Sequence, residues 1–470
     1  MPAALDAPMR LDESAAPAPY RPPMPTPANQ PLPPWRLLWA VLFNPLHVWR
    51  AQHFEDPLVV ERTPMGTRLV ISDPALIKWI LVDNHQNYVR DNLQRRLLHR
   101  VTGQSLFSAQ GEAWQLQRKL LAPHFAAKSV ETYLPAMASV ADAAVGRLRR
   151  QGDTPFDIRQ EMWRLSVEVI ERTLFPDGIG ESAADIAANL NHFAHAYGHV
   201  EMGDLLGLPA AIPGLRRLIG WRAGQRVRQR ARRLLAAAKA AGPTPRSGFL
   251  SPLIAARHPS TGAPLDDRII EDNISAMIGA GSDTASVALA WSLFLLAQVP
   301  HVRALVEAEV DTLLTPAGVT ADNLGKLVWT RAVIEETMRL YPPAPMIGRV
   351  SLKDDVLGGR PYPAGTTILI APWVLHRHRR LWRDADLFIP ERFLPGQREQ
   401  IPRYAYLPFG AGPRICLGMG LAMQEAVTLL ATLVKELRFE CADAHPVHLR
   451  HCMTLHADPA IRMRVRARHA

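Results

Sequence analysis

Cys416 lies in Phe409-Gly-Ala-Gly412-Pro-Arg414-Ile-Cys416-Leu-Gly418, a segment whose residue types suit the presentation of one thiolate to a flat, metal-bearing ring. A single cysteine cannot close a tetrahedral zinc site or an iron–sulfur cluster, which need several ligands, but it suffices as the axial ligand of a haem. Gly412 and Gly418 permit close backbone approaches that a Cβ would block, so peptide N–H groups can be aimed at the sulfur. Phe409 would shield such a thiolate from water, and Arg414 is spaced to reach a haem propionate with a charge-assisted bond. A buried structural cysteine after a glycine-rich turn is the plainer alternative. A nucleophilic cysteine would want a partner histidine, and none stands near position 416.

A second set with chemical potential is Ala280-Gly281-Ser282-Asp283-Thr284. Small residues and a spare hydroxyl in mid-helix leave room beside the chain, although Gly there costs about 1 kcal/mol relative to Ala. A kink at a packing contact is the alternative reading. Glu336-Thr-Met-Arg339 places an acid and a base at i, i+3, which on most helices is a surface pair. Trp114 and Arg118 stand four apart, on one face of a helix that follows Gly111.

Taken in order, these segments resemble the cytochrome P450 family, whose cysteine-loop pattern FxxGxRxCxG is matched at each fixed position. The resemblance covers about residues 35–470 and implies a mainly α-helical (α+β) fold with a long central helix and a small β-rich region. It implies haem b with Cys416 as the axial iron ligand, held by Phe409, Gly412, Arg414 and Gly418. It further implies that Trp114, Arg118 and Arg349 face the haem propionates, and that Glu336, Arg339 and Arg392 form a structural triad behind the cysteine segment. Ala280 and Gly281 would open a groove for dioxygen, with Asp283 and Thr284 relaying protons. The family commonly follows that threonine with Thr or Ser, and here Ala285 departs from the pattern while leaving the acid–alcohol pair intact.

The elements that must position these residues are legible by periodicity. Arg68-Leu-Val-Ile-Ser reads as strand, and Asp73-Pro starts a helix toward Val82. Helical patterns run from Val130 to Arg150 and through residues 155–240, with breaks near Leu208 and Pro213. A helix from about Asp267 to about Val299 would span roughly 45 Å, long enough to cross a large domain. Pro363-Ala-Gly365 reads as a turn entering a strand. His445, His448, His451 and Cys452 could be drawn as a metal site, but Pro446 and the local alternation read as strand. His376 and His378 read as loop residues.

Composition narrows the class. The 470 residues contain no Gly/Ser-rich divide, so residues 35–470 read as one catalytic domain. Residues 1–34 carry eleven prolines and read as a disordered or extended tail, without the basic start and apolar core of a signal peptide. Three cysteines leave one unpaired in any disulfide scheme, which points to a reducing, cytoplasmic setting. The apolar run from Leu37 to Phe43 is too short to span a bilayer, and the run from Thr284 to Pro300 follows Gly281 and Asp283, which reads as a buried helix. The net charge of +10 is concentrated, with eleven Lys and Arg and no acid between Leu205 and Leu265. A solvated face explains that stretch, with peripheral membrane contact through 205–240 as the rival. No nucleic-acid motif accompanies the charge.

The expected function is a haem-thiolate monooxygenase that inserts one oxygen atom of O2 into a hydrophobic small molecule. No GxGxxG motif, flavin domain or cysteine cluster is visible, so the resemblance implies electrons from a ferredoxin or flavodoxin-type donor with its NAD(P)H reductase. Arg118, Lys119, Arg403 and Arg414 would lie on that donor's side. A substrate pocket is expected near Leu106-Phe107, Met277, Pro345-Met346-Ile347 and Thr454-Leu455. Peroxide-driven oxygenation, an O2-independent isomerase or dehydratase, and a haem sensor are the rival classes, and the Asp283–Thr284 pair argues against them.

Overall fold

A computed structural model describes residues 19–63, 66–208, 214–242, 249–257 and 261–469. Its spine is the central helix Asp267–Gln298, capped by the Asp266 carboxylate, which accepts from the Arg268 N–H. Twenty of its side chains are buried, so its apolar length reflects a helix enclosed on most faces. Among the described residues it alone is long and apolar enough to cross a membrane, and 78% of the apolar window is buried inside the protein.

Helices Leu134–Gln151, Ile158–Leu174, Val328–Leu340 and Met419–Glu436 pack around that spine and close one continuous apolar core. The closest approach has a sequence cause: a Cβ at Gly281 would lie 2.7 Å from Ile170 Cδ1, so glycine lets Ile158–Leu174 sit directly on the central helix. The predicted run from Val130 to Arg150 is interrupted at Tyr133, because Leu134-Pro135 starts a new helix.

The β-rich region is a five-stranded sheet, ordered Leu58–Thr63, Gly66–Ile71, Thr367–Ile370, Ile347–Ser351 and Tyr88–Val89. Only Gly66–Ile71 and Thr367–Ile370 run parallel, and Arg349 pairs in register with Ile368. A hairpin of Leu449–Cys452 and Thr454–Ala457 turns at Met453, whose φ of 59° is left-handed.

Of the two expectations for the N-terminal tail, disordered or extended, the described part takes the second. Residues 1–18 lie outside the described residues, but from Tyr20 onward the chain is an extended strap docked on the domain. The Tyr341 hydroxyl donates to Pro23 O at 3.0 Å, Phe388 N–H donates to Tyr20 O at 3.1 Å, and Ala28 bridges Arg50. Prolines that preclude helix leave their carbonyls free to accept such bonds. The basic stretch also resolves into particular contacts. Helix Trp221–Ala241 places Arg230 and Arg233 on Glu181, Arg232 on Glu271 and Lys239 on Asp267.

Candidate functional site: a cavity between the central helix and the cysteine loop

The cysteine loop is held by its own backbone and by what stands behind it. Cys416 N–H donates to Phe409 O at 2.9 Å, and the Gly418 N–H bonds the sulfur. Gly412 has φ 71°, and a Cβ there would fall 1.8 Å from Leu81 O, so no other residue fits. Burial raises the Cys416 thiol pKa, opposed by the Gly418 N–H and Arg118. The sulfur is accessible from the cavity and packed by protein elsewhere.

Behind the loop, Glu336 and Arg339 are 0% exposed and joined by a bidentate pair at 2.6 and 2.7 Å. Arg339 also donates to the carbonyls of His376, Ala385 and Leu387, and Glu336 accepts from Ile389 N–H. The Arg392 guanidinium stands 3.7 Å from Glu336, completing the expected trio. The surface-pair reading of Glu336–Arg339 is therefore excluded. His376, read from sequence as a loop residue, accepts the Leu407 N–H at 2.8 Å on Nε2. Burial and the nearby Arg339 and Arg377 push its pKa down to about 3, so it stays neutral and keeps that lone pair.

The cavity itself encloses about 1850 Å³ of empty space, part of it open to solvent. The central helix contributes Ala280, Gly281, Thr284 and Ala285, the loop contributes residues 409–411 and 414–418, and Trp114, Arg118 and Arg349 line it as predicted, whereas Gly412 packs against Leu81 and does not line it. Leu106, Phe107, Met277, Met346 and Ile347 line it as expected. Thr454 and Leu455 do not: Thr454 donates to Asp283, and the Leu455 carbonyl accepts from Trp291 Nε1. The left-handed turn at Met453 sets the course of that hairpin and cannot be read from residue spacing.

Four guanidiniums meet at this cavity, and one of them, Arg90, has no motif in the sequence. Its Nη1 is buried without a hydrogen-bond partner, and burial together with Arg414 and Arg349 pushes its pKa down to about 9. Arg349 is held near 10 by burial and Arg414. Arg414 lies over the Trp114 ring at 4.4 Å and donates to Ala109 O, and Arg118 donates to Ile415 O. The one carboxyl lining the cavity, Glu425, is pushed up to about 8 by burial and is neutral at pH 7. Crowded buried cations opposed only by Asp91, beside Arg349, are costly alone and suit a ligand carrying two carboxylates. Such a cradle, with a cysteine sulfur facing an apolar slot, fits a haem. Arg118 and Arg414 are turned inward, so of the expected docking cations Lys119 and Arg403 remain on the surface.

Asp283 and Thr284 part company. Thr284 lines the cavity with its hydroxyl donating to Ala280 O at 2.9 Å. Asp283 is buried away from it, accepting from Arg159 Nη2 and Thr454 Oγ1, both at 3.0 Å. Arg159 is shared with Asn191 and stacks on Trp163 at 4.5 Å. Neither of these two partners of Asp283 could be assigned from the sequence, because they come from separate elements.

Comparison with known proteins agrees with this geometry. A family model described as Cytochrome P450 matches residues 27–460. The chain is 36% identical over 342 residues to Cyclooctat-9-en-7-ol 5-monooxygenase of Streptomyces melanosporofaciens, covering 72% of this chain and 73% of that one. It is 28% identical over 439 residues to Pentalenene oxygenase of Streptomyces avermitilis, covering 92% and 94%. In fold it matches the crystal structure of cytochrome P450DA heme domain with a TM-score of 0.80 at 22% identity, over 94% of this chain and 98% of that one.

Proposed function

The chain belongs to the cytochrome P450 family, and from that premise we propose that it is a haem b-dependent monooxygenase that inserts one oxygen atom of O2 into an apolar substrate of lipid or terpenoid type. The single observation that carries this reading is the cavity bringing Cys416, the crowded arginines and the Thr284 hydroxyl together around apolar walls. The names of the two relatives carry the endings of an alkenol and a hydrocarbon, which suits walls with no charged anchor for substrate.

Bound haem supplies O–O cleavage, which thiolate donation to iron favours. The rest is the work of side chains. Arg90, Arg349, Arg414 and Arg118 would hold and orient the propionates, and Phe409 would keep water from the sulfur. Gly418 N–H tempers the donor strength of the sulfur. Leu106, Phe107, Met277 and Met346 exclude water from the cavity and would hold an apolar substrate against the cofactor. Thr284, whose proton is engaged by Ala280 O, offers its lone pairs to a cavity water and orders the proton path there. Asp283 resupplies that path only by leaving Arg159 or Thr454. Its confinement is the one observation that favours the second reading, peroxide-driven oxygenation, which needs no such resupply.

Electrons come from a separate ferredoxin or flavodoxin-type donor, docked near the exposed Lys119 and Arg403. Turnover under 18O2 with NADH, reductase and donor tests the reading. One labelled oxygen per product is expected, and label taken only from added peroxide would select the second reading. The surface that suits membrane contact includes only the start of the stretch 205–240, ahead of the basic helix, together with the helix Pro34–Phe43. Trp35 and Trp39 of helix Pro34–Phe43 stand exposed, as do Leu215, Leu218 and Ile219 of the segment Leu215–Ile219. The Arg216 guanidinium over the Phe43 ring at 5.3 Å joins the two into one apolar face, beside Arg36, which lies over the Trp35 ring, and the exposed Arg222. Co-sedimentation with phosphatidylglycerol vesicles, lost on Trp39→Ser with Ile219→Ser, is the expected result.

A further inference from the structure

On the side of the central helix away from the cavity, helix Ala183–Tyr197 ends against the hairpin Leu449–Cys452/Thr454–Ala457. Three ligand-type side chains converge there. His195 and His199 stand i, i+4 across the end of the helix, and Cys452 closes the strand, its Sγ 3.4 Å from Ala194 O. One donor atom from each lies within 4.8 Å of the others. We propose that His195, His199 and Cys452 form a binding site for a divalent ion of the zinc class, which clamps the helix to the hairpin.

The donor set selects the class of ion. Two imidazoles and a thiolate suit borderline-soft zinc and not Mg2+ or Ca2+, which require oxygen. Three protein ligands leave a fourth position for water, and His195, exposed where the other two are buried, gives an entry path. The imidazoles are already in the ligating state: burial pushes the His199 pKa down to about 4, with Arg216 and Arg450 contributing, and His195 is lowered as well. Burial and Asp283 push the Cys452 thiol up to about 12, so the ion must displace its proton to water.

The surrounding charges bear on this balance. Arg159, Arg216 and Arg450 oppose a bare cation but favour the thiolate, and loss of the Cys452 proton limits the gain in charge to one unit. Asp283 and Asp458 act in the opposite direction on His195, and His451 and His456 stand close by as neutral groups with unpartnered Nδ1 atoms. The site is not the sequential cluster of His445, His448 and His451. It joins positions more than 250 residues apart, and only Cys452 is common to both. Its consequence is mechanical, since the clamped hairpin carries Thr454, which holds Asp283.

The test uses the haem-loaded full chain and Zn2+ alone, with Mg2+ as control. After gel filtration from micromolar Zn2+, one zinc per chain should remain, Tm should rise, and hydrogen exchange should slow at both 190–199 and 449–457. Cys452→Ser and His199→Ala should each weaken retention about tenfold or more, while Cys441→Ser and His445→Ala should not. If either buried variant fails to load haem, His195→Ala, at an exposed position, takes its place with the same expected loss. Zinc retained equally by these variants, or no zinc retained by the parent chain, would overturn the site.

Discussion

The two sides of the cavity are built on opposite principles. Behind the cysteine loop, Glu336 and Arg339 form a fully buried pair whose remaining donors and acceptor oxygens reach backbone groups, and His376 secures Leu407. Above the central helix, the segments from Ala183 to Ala241 and the C-terminal hairpin carry exposed apolar side chains, a left-handed turn and an acid borrowed by Arg159. A buried ion pair saturated by fixed backbone groups has one low-energy arrangement, whereas an acid shared between side chains of separate elements leaves several within reach. The side that must fix the iron ligand takes the first form, and the side that must admit substrate and move protons takes the second.

The largest effect should come from breaking the rigid side. Arg339→Ala or Glu336→Ala leaves a buried, uncompensated charge at a cost of about 3–5 kcal/mol, a large share of a domain's stability. Soluble, haem-loaded protein should fall to a small fraction of wild type, and normal yield and haem content would erase the contrast. Next comes Cys416→Ser, which should abolish the thiolate-type absorption of the reduced carbon-monoxide complex. Because the loop is held by Gly412 and Phe409 and not by the sulfur, this variant should still fold. A surviving thiolate band would move the ligand to Cys441 or Cys452.

The adaptable side predicts milder losses. Thr284→Ala should keep haem and substrate binding while diverting electrons to peroxide or water, and Asp283→Asn should mainly slow turnover. Product formed per NADH consumed separates the two, and wild-type coupling in both would remove the proton path assigned here. Close to neutral pH the smallest effect is acid sensitivity, which grows as pH falls further. His199 and His451 titrate near 4, His376 near 3 and His456 near 2 in the folded chain, all below the unfolded value of about 6.5. The unfolded chain therefore binds more protons below pH 6.5, so stability present above that pH is lost as pH falls, by up to about 1.4 kcal/mol per pH unit for each such histidine. Three of the four lie on the adaptable side. Tm should drop between pH 7 and 5, with hydrogen exchange rising first at 190–199 and 449–457. Earlier opening around Leu407 would invert the comparison.

What could be read in the sequence divides along the same line. The cysteine loop, the central helix and Glu336–Arg339 are contiguous motifs whose function is set by local spacing, and the predicted helix from Asp267 to Val299 is found at Asp267–Gln298. Arg90 escaped because it stands outside a helix, just before its cap Asp91, and joins the other arginines only through the fold. The signal available was a lone Arg before an N-cap, which is too common to single out. Arg159, Thr454 and the histidine–cysteine cluster escaped for the same reason, since each contact spans more than a hundred residues. The substrate segment at Thr454-Leu455 was misplaced by a left-handed residue that spacing does not reveal.

The proline-rich strap has a consequence for the order in which the chain can fold. Tyr20 and Pro23 leave the ribosome first, yet their partners Phe388 and Tyr341 are made more than three hundred residues later. At a synthesis rate of about 5–20 residues per second, its start at Tyr20 and Pro23 waits on the order of tens of seconds for these partners, while Ala28 has its own, Arg50, close by in sequence. Its docking is thus a late, long-range closure that follows assembly of the helical body, and a loop of that length adds slowly to the entropy it must overcome. A nascent chain halted before Tyr341 should expose the strap to protease, and one extended past Phe388 should protect it.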